Sequence, residues 1–344
     1  MLEFNVRGTM LNSNAESHIG QRKVNEDYFL IDESLGLYII ADGVGGLEKG
    51  EIASRIACDT IASGIKSGLG LSEAVYLAHR TIIGEIKHDQ HKQGMATTIV
   101  AVLFNKNAYE IIWVGDSRVY LWDESLKQIT KDDSYVELLL ENGHIGLEEL
   151  ETHPDRNVIS QALGIERKQI ALNKNSGTLA KDQILLLCTD GLYSIADQFD
   201  MVESIRDSGN INDITKTLVK TAVDKEGKDN ITLMLIETHT NTTANKEKTS
   251  PYVYREFDIT TGKLIDFSLY DDIPTNKVTT ESDEAGELET NPELIDQTTY
   301  HDITEDDRKL LNSAAQSIVN KHKKSIIPVL MVTILALVAY FVLR

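Results

Sequence analysis

The sequence predicts an α+β fold in which sheets pack face to face and helices cover them. Short apolar runs of strand type recur from about Ser17 to Thr238, separated by turns rich in Gly. Helical patterns fall between clusters of strands rather than after every strand, so the β-α-β alternation of a doubly wound sheet is missing.

The elements follow in order. Tyr28-Phe29-Leu30 is the first apolar run. Leu37 to Ala41 reads as a buried strand meeting a tight turn at Asp42-Gly43. Ile52, Ile56, Ile61 and Ile65, with Ala53, Ala57 and Ala62, recur at helical spacing and predict a helix over about 50–66. A second helix is expected over 72–90, with Ser72 as its N-cap. Thr97 to Phe104, Glu110 to Val114 and Arg118 to Trp122 read as strands, joined by turns at Asn105-Lys106-Asn107 and Gly115-Asp116-Ser117. Residues 131–155 are irregular and charged. A short helix is expected from Ser134 to Glu141, with Ser134 as N-cap and Glu137 as its capping-box partner, and then a mobile loop. Ile184 to Cys188 is a core strand, 198–207 and 211–226 are helices, and Ile231 to Ile236 is the last strand.

Composition divides the chain into a folded domain over 1–239, an acidic and largely disordered linker over 240–320, and a basic flank with a C-terminal span over 321–344. The 344 residues carry 34 basic and 54 acidic side chains, a formal charge of -20, which excludes a nucleic-acid backbone as a general partner. Cys58 and Cys188 lie in core-like patterns and read as buried, reduced thiols in a reducing compartment. Met1 to Asn14 shows no secretory signal pattern. Within the linker, Tyr252 to Ile259 is an apolar-containing patch that reads as a strand, a docking peptide or an isolated cluster. A relaxed tether of about 80 residues reaches ~50 Å. Ile326 to Leu343 has no charged residue and follows Lys321-His322-Lys323-Lys324. Eighteen helical residues span ~27 Å, so a single-pass tail anchor in the cell membrane is expected, with the folded domain cytoplasmic. A buried or dimerising C-terminal helix is the alternative.

Five acidic signatures carry the chemistry: Asn25-Glu26-Asp27, Ala41-Asp42-Gly43, Val114-Gly115-Asp116-Ser117-Arg118, Cys188-Thr189-Asp190-Gly191 and Lys228-Asp229-Asn230. Four adjoin apolar strand runs. Acids gathered at strand ends raise one another's pKa unless a cation intervenes. An all-oxygen donor set suits Mg²⁺ or Mn²⁺, which in turn suits holding water against a phosphate. Asp-Gly pairs also occur in metal-free turns, and the case for a site rests on the full set in this order.

Arg22-Lys23-Val24-Asn25-Glu26-Asp27, Asp42-Gly43-Val44-Gly45-Gly46, Gly94-Met95-Ala96-Thr97-Thr98, Gly115-Asp116-Ser117, Asp190-Gly191 and Lys228-Asp229-Asn230-Ile231-Thr232 together resemble the bacterial branch of the type 2C metal-dependent serine/threonine protein phosphatases (PPM) over about 15–238. The resemblance implies a four-layer α-β-β-α sandwich, two antiparallel sheets flanked by helices, with two core Mn²⁺ or Mg²⁺ ions and a possible third. It implies that Asp42 bridges the core metals, that the Gly43 carbonyl, Asp190 and Asp229 are further ligands, and that Glu26 and Asp27 serve the second ion. Asp116 resembles a ligand of the third ion, shared with Asp190, and Arg22 the phosphate-binding guanidinium.

The reaction implied is direct attack of a metal-bridging water on phosphoserine or phosphothreonine, with the fork of Arg22 on the phosphate. Neither Cys stands in a Cys-x5-Arg phosphate loop. Some relatives place a His after the bridging Asp, but here Val44 and Leu47 occupy that stretch, so metal-bound water is expected to protonate the leaving group. His144 and His153 are the weaker candidates for that acid. Thr97 and Thr98 read as packing and hydrogen-bonding residues, Trp113 and Trp122 as sheet core, and Arg118 as a partner for a nearby carboxylate. Asp132-Asp133-Ser134 matches the family's acidic-Ser element, and Asn157 is open between a polar role near the site and core support. The expected partners are phosphorylated proteins, including a cognate Ser/Thr kinase or its substrates, and the membrane. The alternatives are a membrane-anchored phosphoprotein-binding regulator and a phosphatase dedicated to one partner-switching regulator.

Overall fold

The computed structural model describes residues 11–45, 49–165, 170–238 and 250–267. From the N-terminus, β1 (Leu11–His18), β2 (Asp27–Asp32) and β3 (Leu37–Val44) lead into α1 (Lys49–Lys66) and α2 (Leu71–His88). Next come β4 (Ala96–Thr97), β5 (Ile99–Asn105), β6 (Ala108–Val114), β7 (Arg118–Asp123), β8 (Ser125–Gln128) and α3 (Tyr135–Glu141). The chain continues through β9 (Asn173–Thr178), β10 (Ile184–Cys188), α4 (Asp190–Tyr193), α5 (Gln198–Asp207), α6 (Ile211–Asp224) and β11 (Ile231–Thr238), then a hairpin of β12 (Arg255–Asp258) and β13 (Lys263–Asp266).

The strands form two antiparallel sheets, ordered β1-β11-β10-β7-β8-β12-β13 and β2-β3-β5-β6-β9, with β4 paired to β3. Strand side chains alternate between faces, so each central strand feeds two cores. On β3, Tyr38 and Ile40 meet Val119, Leu185 and Met234 between the sheets. Leu37, Ile39 and Ala41 point the other way, onto Ala53, Ala57 and Ile61 of α1 and Ala78 and Ile82 of α2. The outer face of the second sheet, with Leu186, Leu233 and Leu235, is covered by Leu192 of α4, Met201 of α5 and Leu218 of α6. These are the four layers expected.

The strongly patterned elements fall where periodicity puts them. Both cysteines are buried and free. Trp113 lies between the sheets, and half-buried Trp122 packs on the outer face below Arg206. Three expectations need correction. Helix α2 is capped at Gly70, not Ser72, and the Glu73 carboxylate reaches back to accept from the Gly70 N–H at 2.8 Å. Ser134 does cap α3, but Glu137 does not complete a capping box, because its carboxylate is taken by Arg255. The third concerns the linker: residues 250–267 are integrated into the fold. β12 pairs with β8 through Arg255↔Gln128, Glu256↔Lys127 and Phe257↔Leu126, and Phe257 is buried against the outer helices. The strand reading of Tyr252–Ile259 is the one the structure selects. Leu47, residues 268–320 and the apolar run Ile326 to Leu343 lie outside the described residues. Among the described residues, no helix is long and apolar enough to cross a membrane.

Candidate active site

The register of β2 on β3 sets Asp27 opposite Asp42. The Asp42 backbone is held from its other side. Its N–H donates to Thr98 Oγ1 at 3.0 Å, and its carbonyl accepts the Thr98 N–H at 2.8 Å and the Thr97 hydroxyl at 2.9 Å. The threonines thus hydrogen-bond and pack beneath the site. Gly43 lets β3 touch the first turn of α1: a Cβ there would stand 2.2 Å from the Gly50 backbone. The Gly43 N–H donates to the Glu26 carbonyl at 3.1 Å, and Glu26 Oε1 accepts the Gly50 N–H at 3.1 Å. Glu26 therefore sits against the N-terminus of α1, where backbone donors favour a carboxylate.

The other sheet supplies the facing acids. β10 ends at Cys188, Thr189 is the N-cap of α4, and Asp190 is its first helical residue. Thr189 Oγ1 donates across the sheets to Asp27 Oδ2 at 2.9 Å. The second Asp27 oxygen is buried with no hydrogen-bond partner among the described residues. Gly191 lets α4 lie on the residue before β11, since a Cβ would stand 1.9 Å from the Asn230 carbonyl oxygen. Asp229 accepts Arg22 Nη2 at 2.5 Å, and Arg22 Nε is buried with no hydrogen-bond partner among the described residues.

Asp116 stands on the β6–β7 turn. Its carbonyl accepts the Tyr193 hydroxyl at 3.0 Å. Arg118 grips Asp132 through Nε and Nη2, with its guanidinium 3.7 Å from the centre of the Tyr193 ring. Asp133 Oδ2 accepts the Gly115 N–H at 3.0 Å and the Asn173 amide at 2.8 Å. Ser134 caps α3. Asn157 is exposed, which removes the core-support reading, and His144 is exposed beyond α3.

Electrostatics gathers the acids at one locus. Burial holds the Asp42 carboxyl well above the usual carboxylate range, and the charges of Asp27, Asp190, Asp229 and Asp116 push it further. Asp27 is pushed up to about 7 by burial, with Asp190 and Asp229 adding to the rise and bonds from Thr232 and Thr189 opposing it. Asp116 is raised by burial and then by Asp190. The five aspartates named from sequence thus act on one another across the sheet ends. Among the described residues no three His, Cys, Asp or Glu side chains close into a metal cage. The chemistry of the donors nonetheless fits a hard divalent cation. All are oxygens, the like charges repel, and a buried Asp27 oxygen is unsatisfied.

Asn230, given no role from sequence, organises the site's backbone. Its Oδ1 accepts the Glu26 N–H at 2.9 Å, and its Nδ2 donates to the Ile19 and Val24 carbonyls at 2.9 and 3.0 Å. Its position beside Asp229 was the available signal.

Comparison with known proteins agrees with the geometry. The serine/threonine phosphatase stp of Listeria welshimeri is 30% identical over 230 residues, covering 63% of this chain and 91% of its own. The crystal structure of the serine/threonine phosphatase Stp1 from Staphylococcus aureus superposes with a TM-score of 0.63 at 29% identity, covering 68% of this chain and 97% of that one. The catalytic domain of the serine/threonine protein phosphatase PstP, solved in complex with 2 manganese ions, superposes with a TM-score of 0.59 at 29% identity, covering 67% and 99%. The protein phosphatase 2C profile matches residues 15–235, from β1 to β11 and so across all five acidic signatures, and the chain therefore belongs to that family of metal-dependent serine/threonine phosphatases.

Proposed function

We propose that this protein phosphatase hydrolyses phosphoserine and phosphothreonine in proteins by direct attack of water, with Asp42 at the centre of a two-cation Mn²⁺ or Mg²⁺ site. The observation that carries the reading is the register that sets Asp27, with a buried oxygen unpartnered among the described residues, opposite half-buried Asp42, whose carboxyl is raised by loss of solvent and then by the charges of Asp27, Asp190, Asp229 and Asp116. Asp190, Asp229 and the Gly43 carbonyl would complete the core ligands, with Glu26 and Asp27 serving the second ion. Asp116, raised by burial and by the charge of Asp190, would hold a third, weaker cation. When bound, such cations lower the pKa of water and screen the phosphoryl oxygens.

The remaining work falls to this chain's own groups. Arg22 is already oriented by Asp229, and its partly exposed guanidinium would give its remaining N–H donors to a phosphate oxygen. Thr97 and Thr98 hold the Asp42 backbone, so that carboxylate can be aimed without reorganisation. A phosphocysteine step is disfavoured. Cys58 and Cys188 are buried and burial pushes both thiols up, away from the thiolate form. The residue that protonates the leaving alkoxide is not a His on β3, where Val44 stands.

The test is hydrolysis of matched phosphoserine, phosphothreonine and phosphotyrosine peptides with Mn²⁺, Mg²⁺ or chelator, beside Asp42→Asn. Activity that survives chelation sinks the mechanism. The apolar run Ile326 to Leu343 supports membrane attachment, and with it phosphoproteins near the membrane as substrates, including a cognate kinase or its targets. Recovery of the full chain in the soluble fraction without detergent would rule that out.

A further inference from the structure

The β12–β13 hairpin lies beyond the family match, which ends at residue 235, yet it contains one of the most completely buried charges described. Arg255 is 2% exposed and donates from Nη1 and Nη2 to Glu137 at 2.5 and 2.8 Å, and from Nε to Asp266 at 2.9 Å. A guanidinium is buried at this depth only when its donors are matched in both charge and direction. The match here is spread over three elements: β12, β13 and α3.

The hairpin grips the segment 128–137 at both ends. At one end Arg255 pairs in register with Gln128, and the Tyr254 N–H donates to the Gln128 carbonyl at 2.9 Å. At the other end Arg255 holds Glu137 in the first turn of α3. Between these ends stand Asp132 and Asp133, which hold the turn that carries Asp116. Asp133 accepts the Gly115 N–H through its side chain and donates its own N–H to the Gly115 carbonyl at 2.9 Å, while Asp132 takes the Arg118 fork. Gly115 has φ 103°, a conformation open to glycine, and the two Asp133 contacts hold both its N–H and its carbonyl.

We propose that the hairpin is a clasp for the Asp116 turn and that Arg255 is a positioning residue for Asp116, acting through Glu137, Asp133 and Gly115. The clasp rests on the reading of Asp116 as part of the metal site. Residues outside the first ligands typically change metal affinity by about 10- to 100-fold when removed.

The test compares the full chain with Arg255→Met and, as a milder break that leaves the Arg255–Asp266 contact in place, Glu137→Gln. Amide hydrogen exchange is followed without metal over 114–118, 128–137 and, as a control, β10 and β11. Glu137→Gln is expected to speed exchange in 114–118 about tenfold while β10 and β11 keep their protection, and Arg255→Met to speed exchange in 114–118 at least as much. The Mn²⁺ concentration for half-maximal activity is expected to rise about tenfold, with KM for a phosphopeptide held within about twofold. Unchanged exchange at 114–118 when that over 128–137 accelerates overturns the clasp. So does acceleration spread equally over β10 and β11 in Glu137→Gln. Where Arg255→Met does not fold, Glu137→Gln alone decides by the same readings. The exchange arm needs no catalysis, so failure of the phosphatase reading and failure of the clasp are told apart.

Discussion

Asp42 and Glu137 are both acids built into one domain, and the fold treats them in opposite ways. Glu137 meets a guanidinium that donates to both its oxygens, and the same Arg255 binds Asp266. Asp42 instead loses solvent and faces Asp27, and its carboxyl is driven upward first by that desolvation and then by the charges of Asp27, Asp190, Asp229 and Asp116. Arg22 leans on Asp229 at the edge of that group. A compensated buried charge holds elements together. An uncompensated group of charges stores a demand for a cation or protons, which is a property of a site and not of a scaffold.

The sharpest way to break this contrast is Asp42→Asn. If Asp42 is the centre of the cation site, kcat falls by on the order of 10³ or more, which steady-state assays measure. The same substitution should raise the melting temperature in chelator, because it removes a charge that its neighbours repel. A fall in melting temperature would mean that Asp42 is structural, like Glu137.

At the compensated site the sign reverses. Arg255→Met strands Glu137 and Asp266 and should cost about 3–5 kcal/mol in urea unfolding. Replacing Arg255, Glu137 and Asp266 together by apolar residues should recover most of that loss, since no buried charge is then left unmatched.

A third buried ionisable group sharpens the comparison by solving the problem another way. His79, 3% exposed on α2, accepts the Gly164 N–H at 3.2 Å through Nδ1, and burial with the nearby Arg80 lowers its pKa from 6.5 to about 4. The neutral form is therefore the folded form. Its contribution is fully present above pH 6.5 and is lost as pH falls toward 4, a decline of about 3 kcal/mol. His79→Gln should flatten that part of the acid limb in unfolding measured between pH 7 and pH 4.

The smallest effect is expected at the cleft's edge. Arg22→Lys keeps a charge near Asp229 but loses the fork, and should raise KM for a phosphopeptide about tenfold, about 1.4 kcal/mol. A fall in kcat at constant KM would instead assign Arg22 to the transition state.

Much of this was legible in the chain. β3, β5, β6, β10 and β11 are buried and strongly apolar, so the run itself announces the strand. β1 reads Leu-Asn-Ser-Asn-Ala-Glu-Ser-His and β9 Asn-Lys-Asn-Ser-Gly-Thr, and neither was legible. Both are edge strands paired on one side, so their backbone hydrogen bonds define them while their side chains need not be apolar. The hairpin β12–β13 lay in acidic sequence whose partner, β8, is more than a hundred residues away.

By itself the sequence determined the two sheet cores, the helices that cover them and the identity of the acids at strand ends. It did so because periodicity and turn chemistry are local properties. Only the tertiary structure decided which charges meet. The β2–β3 register sets Asp27 against Asp42, Thr189 reaches Asp27 across the two sheets, and Arg255 claims Glu137 from across 118 positions. Charge compensation depends on distance in space, and neither spacing nor composition carries that distance.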